Sequence, residues 1–196
     1  IGVKTKEGVI LACEKYINSI LIDETSFQKI VPMSKYIGAT YAGLGPDFKV
    51  LAKKSRKDYQ KYQLEFIDTI MPVHSLAKEC ATLMQSFTQS GGVRPFGLCT
   101  FYAGHDRTGS HLYQVDPSGA YYELKAGAIG KGRQKATQAL ERRYKDDLSL
   151  DDGLAIIIDT LREGYDGELN EKNIEIGIVN QDGFRLLSSE EIKNYL

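Results

Sequence analysis

The order in which strand-like and helix-like segments follow one another constrains this chain more than any other feature. Helix-like segments come in pairs, and groups of strand-like segments separate the pairs. Segments that are grouped in blocks in this way are typical of α+β folds. Apolar runs at residues 9–13 and 174–179 have no polar face, which favours strands that are buried on both sides. We therefore predict an α+β fold of four layers, in which two antiparallel sheets pack face to face between two helix pairs.

Periodicity and turn signals place the individual segments. The predicted strands cover residues 1–5, 9–13, 20–22, 29–31, 36–42, 96–103, 111–115, 121–125, 174–180 and 184–187. The predicted helices run from Pro46 to about residue 62 and over residues 73–88, 131–145 and 150–164, with a short terminal helix after Ser188. Since no linker interrupts these segments, we expect residues 1–196 to form a single domain, within the usual size of about 100–200 residues.

Composition excludes several classes of function. The formal net charge is −1, and both signs are interspersed, so neither nucleic acid nor an anionic membrane is an expected partner. No apolar run approaches the roughly 18 residues that a membrane span requires. The cysteines Cys13, Cys80 and Cys99 are three in number and far apart, which favours small buried side chains in a reducing compartment over a disulfide framework. We expect a soluble intracellular protein whose partners are proteins.

The candidate sites that spacing alone suggests are weak. Residues 127–132 resemble a phosphate-binding loop but lack its spacing and its hydroxyl residue after the lysine. The histidines His74, His105 and His111 have no metal-ligand spacing, so solvated histidines are the better interpretation. Asp151 and Asp152 open a predicted helix, where acidic side chains favour the helix dipole. The residues therefore predict no metal, cofactor or catalytic constellation.

A more specific signal is a set of motifs. Residues 88–97, TQSGGVRPFG, resemble the signature segment of proteasome alpha subunits. Further stretches at residues 8–12, 41–47, 116–119, 141–144 and 173–177 occur in the order of that family, and together they are most similar to its alpha-2 subtype. The matching positions to which we assign a structural role are Gly91, Gly92, Arg94, Pro95, Gly97, Asp116 and Gly119.

The resemblance implies the four-layer α/β/β/α sandwich of N-terminal nucleophile hydrolases, in agreement with the order of blocks. It implies a non-catalytic subunit of the outer, seven-membered alpha ring of the proteasome core particle, in the cytoplasm and nucleus. The expected partners are other alpha subunits, beta-ring subunits, and the C-terminal tails of a regulatory particle or activator. The family's pocket lysine, which pairs with the tail carboxylate, matches Lys29, and Gly43 and Leu44 match the adjacent wall. The expected roles are ring assembly, gating and activator docking in ubiquitin-dependent protein degradation.

The main alternative is a catalytic beta-type threonine protease, which uses an N-terminal threonine as nucleophile and its own amine as base. Glu14 and Lys29 match the acid and the lysine of that site, so these two residues do not discriminate. Thr5, however, lies inside a predicted strand, where its amine is part of a peptide bond and cannot act as the base. The family's Gly-Ser-Gly-Ser run corresponds to residues 130–133, GKGR, and its Ser-Gly-Gly to residues 170–173, NEKN. Three elements of the catalytic centre are missing, so we expect the active sites of the complex to lie on beta subunits.

The start of the sequence departs from the family. Alpha subunits begin with a gate-forming tail and a first helix, whereas this sequence opens at Ile1 within a strand pattern. We expect that this segment is absent from the chain, and that the chain alone assembles poorly into rings. A free-standing binding module is a third hypothesis, for which the missing start is the only support.

Overall fold

The computed structural model describes residues 1–196 except 17, 18, 20, 24, 25, 68 and 165–168. The strands are β1 (Gly2–Lys4), β2 (Gly8–Glu14), β3 (Val31–Ser34), β4 (Ile37–Gly43), β5 (Leu98–Asp106), β6 (Gly109–Val115), β7 (Tyr121–Glu123), β8 (Ala126–Gly127), β9 (Ile174–Asn180) and β10 (Gly183–Leu186). The helices are α1 (Gly45–Glu65), α2 (Val73–Gln89), α3 (Arg133–Arg143), α4 (Leu150–Gly164) and α5 (Ser189–Lys193). None of the helices in the described part of the chain combines the length and apolar composition of a membrane span.

The strands form two antiparallel five-stranded sheets. The first sheet has the order β10-β9-β2-β1-β8, and the second has the order β3-β4-β5-β6-β7. One apolar cluster packs α1 and α2 on the second sheet, another packs α3 and α4 on the first, and a third lies between the sheets. This layer order confirms the predicted four-layer α/β/β/α sandwich.

Strand β2 shows why the sequence lacks a polar face there. Its side chains alternate between two apolar layers, as the two-residue period of a strand requires. Val9 and Leu11 pack between the sheets, whereas Ile10 and Ala12 pack under α3 and α4. All four are fully buried. Coverage on both faces therefore explains the apolar run at residues 9–13.

Two strand predictions near the start of the chain are wrong. Leu21 and Ile22 lie in a turn and a bend, and position 20 of that prediction lies outside the described residues. Lys29 and Ile30 precede the strand, which begins only at Val31. Their backbone N–H groups bond to the side chain of Glu175 instead of a neighbouring strand. A side chain distant in sequence thus replaces the expected strand partner.

The predicted strand at residues 121–125 ends early, at Glu123, and a second short strand follows it in the other sheet. Tyr121–Glu123 is the edge strand β7 of the second sheet, and Ala126–Gly127 is the edge strand β8 of the first. The intervening Leu124 packs against the cluster between the sheets. The chain therefore crosses from one sheet to the other here, at a point that the pattern of residues 121–125 does not reveal.

Serine side chains cap the starts of α5 and α4. The hydroxyl of Ser188 accepts a hydrogen bond from the N–H of Glu191, and the Glu191 carboxylate accepts one from the N–H of Ser188, which completes a capping box at α5. At α4, the hydroxyl of Ser149 accepts from the N–H of Asp152 at 3.2 Å. Both helices thus begin where the sequence predicts.

Candidate functional site

A cavity of about 250 Å³ opens beside β2 and β4. The loop before α3 and the end of α4 contribute to its wall, which includes residues 12–14, 40–43, 128–133, 160–161 and 164. This volume suits a small group or the end of a peptide rather than a drug-sized ligand, which occupies about 300–1,000 Å³. Among the described residues of this wall, Lys29, Lys131 and Arg133 are cationic and Glu14 is acidic. The balance of charge therefore favours an anionic group.

Lys29 is half-buried in this wall. Its Nζ donates a hydrogen bond of 2.8 Å to the backbone oxygen of Glu14 and lies 5.9 Å from the centroid of the Tyr41 ring, within cation-π range. Its backbone N–H donates a bond of 2.8 Å to Oε2 of Glu175. An ammonium has three donors, so the bond to Glu14 leaves capacity for an incoming acceptor. Lys29 is thus held at both its backbone and its side chain.

Gly43 shares the cavity with Lys29, and Leu44 follows it directly. Gly43 has a φ of +130°, in the region that favours glycine. A Cβ at Gly43 would lie 2.3 Å from the backbone oxygen of Gly97 and 2.7 Å from Cα of Leu98. Leu44 is half exposed, and its N–H donates to the same Gly97 oxygen at 2.9 Å. The structure therefore brings Lys29 and Gly43 to one cavity, with Leu44 next to it at the start of α1.

The signature segment fixes the start of α1 through Asp47. The guanidinium of Arg94 donates two hydrogen bonds to the Asp47 carboxylate, of 2.7 and 2.8 Å, and the Gly97 N–H donates a third of 2.9 Å. These bonds lower the pKa of Asp47 to about 2. Arg94 also donates to the backbone oxygen of Pro95 at 3.1 Å. The motif therefore anchors the junction between β4 and α1, where Gly43 lies.

The other signature residues serve turns. Gly91 and Gly92 follow the end of α2 and face open space, and Gly92 has a φ of +78°. The Asp116 carboxylate accepts bonds of 2.8 and 2.5 Å from the N–H and hydroxyl of Ser118. Gly119 has a φ of +86°, and a Cβ there would lie 2.7 Å from the backbone oxygen of Ala81 in α2. The β6–β7 turn thus requires glycine for both its conformation and its close approach to α2.

The residues at the positions of a threonine-protease centre are unsuited to catalysis. Thr5 is buried, and its hydroxyl donates to the backbone oxygen of Gly8 at 3.0 Å and accepts from the Gly8 N–H at 3.2 Å, within the β1–β2 turn. Lys131 and Arg133 occupy the cavity wall where the family's active subunits have serines. Burial raises the pKa of the Cys13 thiol to about 12, so this cavity residue is a neutral thiol. Neither Thr5 nor Cys13 is therefore an activated nucleophile.

The histidines do not form a metal site in the described ranges, which contain no group of three or more candidate ligands. The expectation of a solvated surface side chain is wrong for His111. Its Nδ1 lies 2.8 Å from Oε1 of Glu123, its Nε2 lies 2.8 Å from Oγ1 of Thr108, and its side chain is 19% exposed. His111 therefore belongs to a hydrogen-bonded cluster that joins β6 to β7.

The residue near the site that sequence reasoning missed is Glu175. It is buried within β9, and its Oε2 accepts hydrogen bonds of 2.8 Å from the N–H groups of both Lys29 and Ile30. The available signal was a carboxylate in an otherwise apolar strand, IEIGIV. A buried carboxylate requires partners, which sequence alone does not identify.

Comparisons with a protein-family model and with individual proteins point to the same family. The model of the proteasome subunit family matches residues 1–179. The chain is 51% identical over 197 residues to proteasome subunit alpha type-2 of Oryza sativa subsp. indica, an alignment that covers 100% of this chain and 83% of the relative. It is 50% identical to proteasome subunit alpha type-2-A of Arabidopsis thaliana, with the same coverage. It is 41% identical to proteasome subunit alpha type-2 of Trypanosoma brucei brucei, over 100% of this chain and 84% of that protein.

Proposed function

Since the chain belongs to the proteasome subunit family, we propose that it works as a non-catalytic alpha-type subunit of a proteasome core particle. The observation that carries this proposal is similarity over the whole chain to relatives named alpha type-2. The site agrees with it, because the Thr5 hydroxyl is engaged in a turn and cationic side chains line the cavity. These features argue against the alternative of a catalytic beta-type subunit.

Membership of this family implies assembly with other proteasome subunits. We further propose that the chain occupies a seven-membered alpha ring that stacks on beta rings, in the cytoplasm and nucleus. In such a particle the threonine endopeptidase activity resides on beta subunits, and the alpha ring contributes to gating in ubiquitin-dependent degradation. These finer roles rest on the family resemblance.

We propose that Lys29, Gly43 and Leu44 bind the C-terminal tail of an activator or regulatory particle. A tail carboxylate would accept a charge-assisted hydrogen bond from the half-buried ammonium of Lys29. Gly43 lies in the cavity wall, where it packs closely against the backbone of Gly97 and Leu98, and Leu44 offers an exposed apolar side chain next to it. The cationic balance of the cavity wall supports an anionic occupant.

We also propose that residues 1–196 form a single domain and that the signature residues have a structural role. Each sheet draws strands from segments that are distant in the chain, so neither sheet is complete without both halves. The bonds from Arg94 and Gly97 to Asp47 support a role in holding the α1 start.

Assembly is tested by expressing an epitope-tagged chain in cells that make proteasomes and analysing the purified material by native mass spectrometry. We expect the tagged chain within a complex of other proteasome subunits. Recovery of the tagged chain only as a monomer would contradict the proposal.

Tail binding is tested with a peptide that carries a photo-crosslinker near a free C-terminal carboxylate, together with the same peptide as a C-terminal amide. In assembled particles, Lys29→Met should lower the crosslink yield of the carboxylate peptide to this chain about tenfold, the equivalent of one charge-assisted hydrogen bond. The matched control is Lys35→Met, since the Lys35 Nζ also lies over a tyrosine ring, at 5.0 Å from the Tyr36 centroid. Equal yields from the two variants would refute the role of Lys29.

A further inference from the structure

The buried carboxylate of Glu175 lies outside the cavity wall and binds the backbone of Lys29, whose side chain lines the cavity. Glu175 is 8% exposed and lies in the apolar strand β9. Its Oε2 accepts bonds of 2.8 Å from the N–H groups of Lys29 and Ile30, and its Oε1 lies 4.0 Å from Nζ of Lys15. The Sγ of Cys13 lies 4.0 Å from the same Oε2. Each carboxylate oxygen therefore has a partner of donor type.

The position of Glu175 in its strand is one that an apolar side chain would ordinarily fill. Ile174, Ile176 and Ile178 pack under α3 and α4, whereas Glu175 and Val179 project from the opposite face of β9. An ionised carboxylate in such a place costs free energy that only hydrogen bonds and a cation can offset. The two backbone N–H groups and Lys15 provide that compensation. The surroundings of the Glu175 carboxylate are therefore the backbone N–H groups of residues 29 and 30, and not only apolar side chains.

The same pair of strands anchors Lys29 at two points. In the β2–β9 ladder, Cys13 lies opposite Glu175 and Glu14 lies opposite Ile174. The Glu175 carboxylate binds the backbone N–H of Lys29, and the adjacent rung supplies the Glu14 oxygen to which the Lys29 ammonium donates. Lys29 itself precedes β3, so no strand ladder holds its backbone. The direction in which its side chain enters the cavity therefore depends on the reach of the Glu175 side chain.

We propose that Glu175 is the positioning residue of the tail site: its carboxylate fixes the backbone at Lys29 and Ile30 and so aims the Lys29 ammonium at the C-terminal carboxylate of a bound peptide. This inference rests on the proposed role of Lys29 in tail binding. Glu175 acts through Lys29 and does not itself contact the peptide.

Two conservative variants distinguish the effect of the length of the Glu175 side chain from the effect of its charge. Glu175→Gln keeps the length of the side chain and an oxygen that accepts from both N–H groups, whereas Glu175→Asp keeps the charge but withdraws the carboxylate by about 1.5 Å, one carbon–carbon bond. The measured quantity is the ratio of crosslink yields from the carboxylate and amide forms of the peptide, read on this chain in assembled particles only. Because both forms are compared on the same particles, differences in the amount of assembled variant cancel.

We expect Glu175→Gln to retain the wild-type ratio within about threefold and Glu175→Asp to lower it about tenfold, since one charge-assisted bond is lost. In a Lys29→Met background, Glu175→Asp should cause no further loss, because the two residues act as one unit. A wild-type ratio in Glu175→Asp, alongside a loss in Lys29→Met, would overturn the inference and leave the proposed role of Lys29 intact.

The remaining outcomes are also decisive. A loss in Glu175→Gln with retention in Glu175→Asp would show an effect of charge, which contradicts positioning through the backbone bonds. A wild-type ratio in Lys29→Met would refute both the tail site and the inference. A further loss on adding Glu175→Asp to Lys29→Met would show that Glu175 acts by another route.

Discussion

Replacement of Gly43 by alanine tests the geometry of the cavity wall most sharply. At a φ of +130° an L side chain is strained, at a cost of about 1–3 kcal/mol. The new Cβ would also lie 2.3 Å from the Gly97 oxygen and 2.7 Å from Cα of Leu98, which are backbone atoms of the neighbouring segment and cannot rotate away. Relief of such an overlap adds about 1–3 kcal/mol. We therefore expect Gly43→Ala to lower the free energy of unfolding by about 2–6 kcal/mol.

The assay is urea unfolding of the purified chain followed by circular dichroism. With a slope of about 2 kcal/mol per M, the midpoint should fall by roughly 1–3 M. Gly91→Ala is the matched control, because Gly91 has an ordinary φ and no atom lies within 4 Å of its added Cβ. The control should shift the free energy by no more than about 0.5 kcal/mol. A Gly43→Ala midpoint equal to that of the control would refute the reasoning.

Three other predictions concern stability. Arg94 lowers the pKa of Asp47 to about 2, so the contribution of Asp47 to the free energy of unfolding is present above its unfolded pKa of about 4 and is lost as pH falls through 2. The difference in urea midpoint between wild type and Asp47→Asn should therefore decrease from pH 5 to pH 2. A difference that stays constant over this range would contradict the prediction. Ser188→Ala removes the cap of α5 and should lower the free energy of unfolding by about 1 kcal/mol, which corresponds to a Tm lower by about 2–4 °C. An unchanged Tm would argue against the capping box. Tyr102→Phe leaves the buried Ser55 hydroxyl without its 2.8 Å partner and should lower the free energy of unfolding in urea by about 1–3 kcal/mol. Adding Ser55→Ala should recover part of this loss, because the unpaired hydroxyl is then removed. A double variant whose loss equals the sum of the two single losses would contradict the prediction.

Much of the fold follows from periodicity because its causes are local. Strand β2 is apolar from Val9 to Cys13 since both its faces are covered there, and α4 shows a helical apolar stripe together with a cap at Ser149. The errors arise where tertiary contacts decide. Lys29 and Ile30 have the pattern of a strand, but a distant carboxylate accepts their N–H bonds. No pattern within that segment could disclose such a partner.

The candidate site is less accessible to sequence reasoning than the fold. Lys29 by itself is an ordinary lysine near the start of a strand, and only the family resemblance selects it. The structure adds Tyr41 as its neighbour in the cavity and Glu175 as its anchor. Arg94 and Asp47 are far apart in sequence, so their paired hydrogen bonds are likewise invisible until the chain is folded.

The most direct test of the central claim is labelling with an activity-based probe that reacts with N-terminal threonine. Complexes purified through an epitope tag on this chain are treated with the probe, and the subunits are separated and identified by mass. A non-catalytic alpha-type subunit predicts label on co-purifying subunits and none on the tagged chain. Label on the tagged chain itself would contradict the account and identify a beta-like protease.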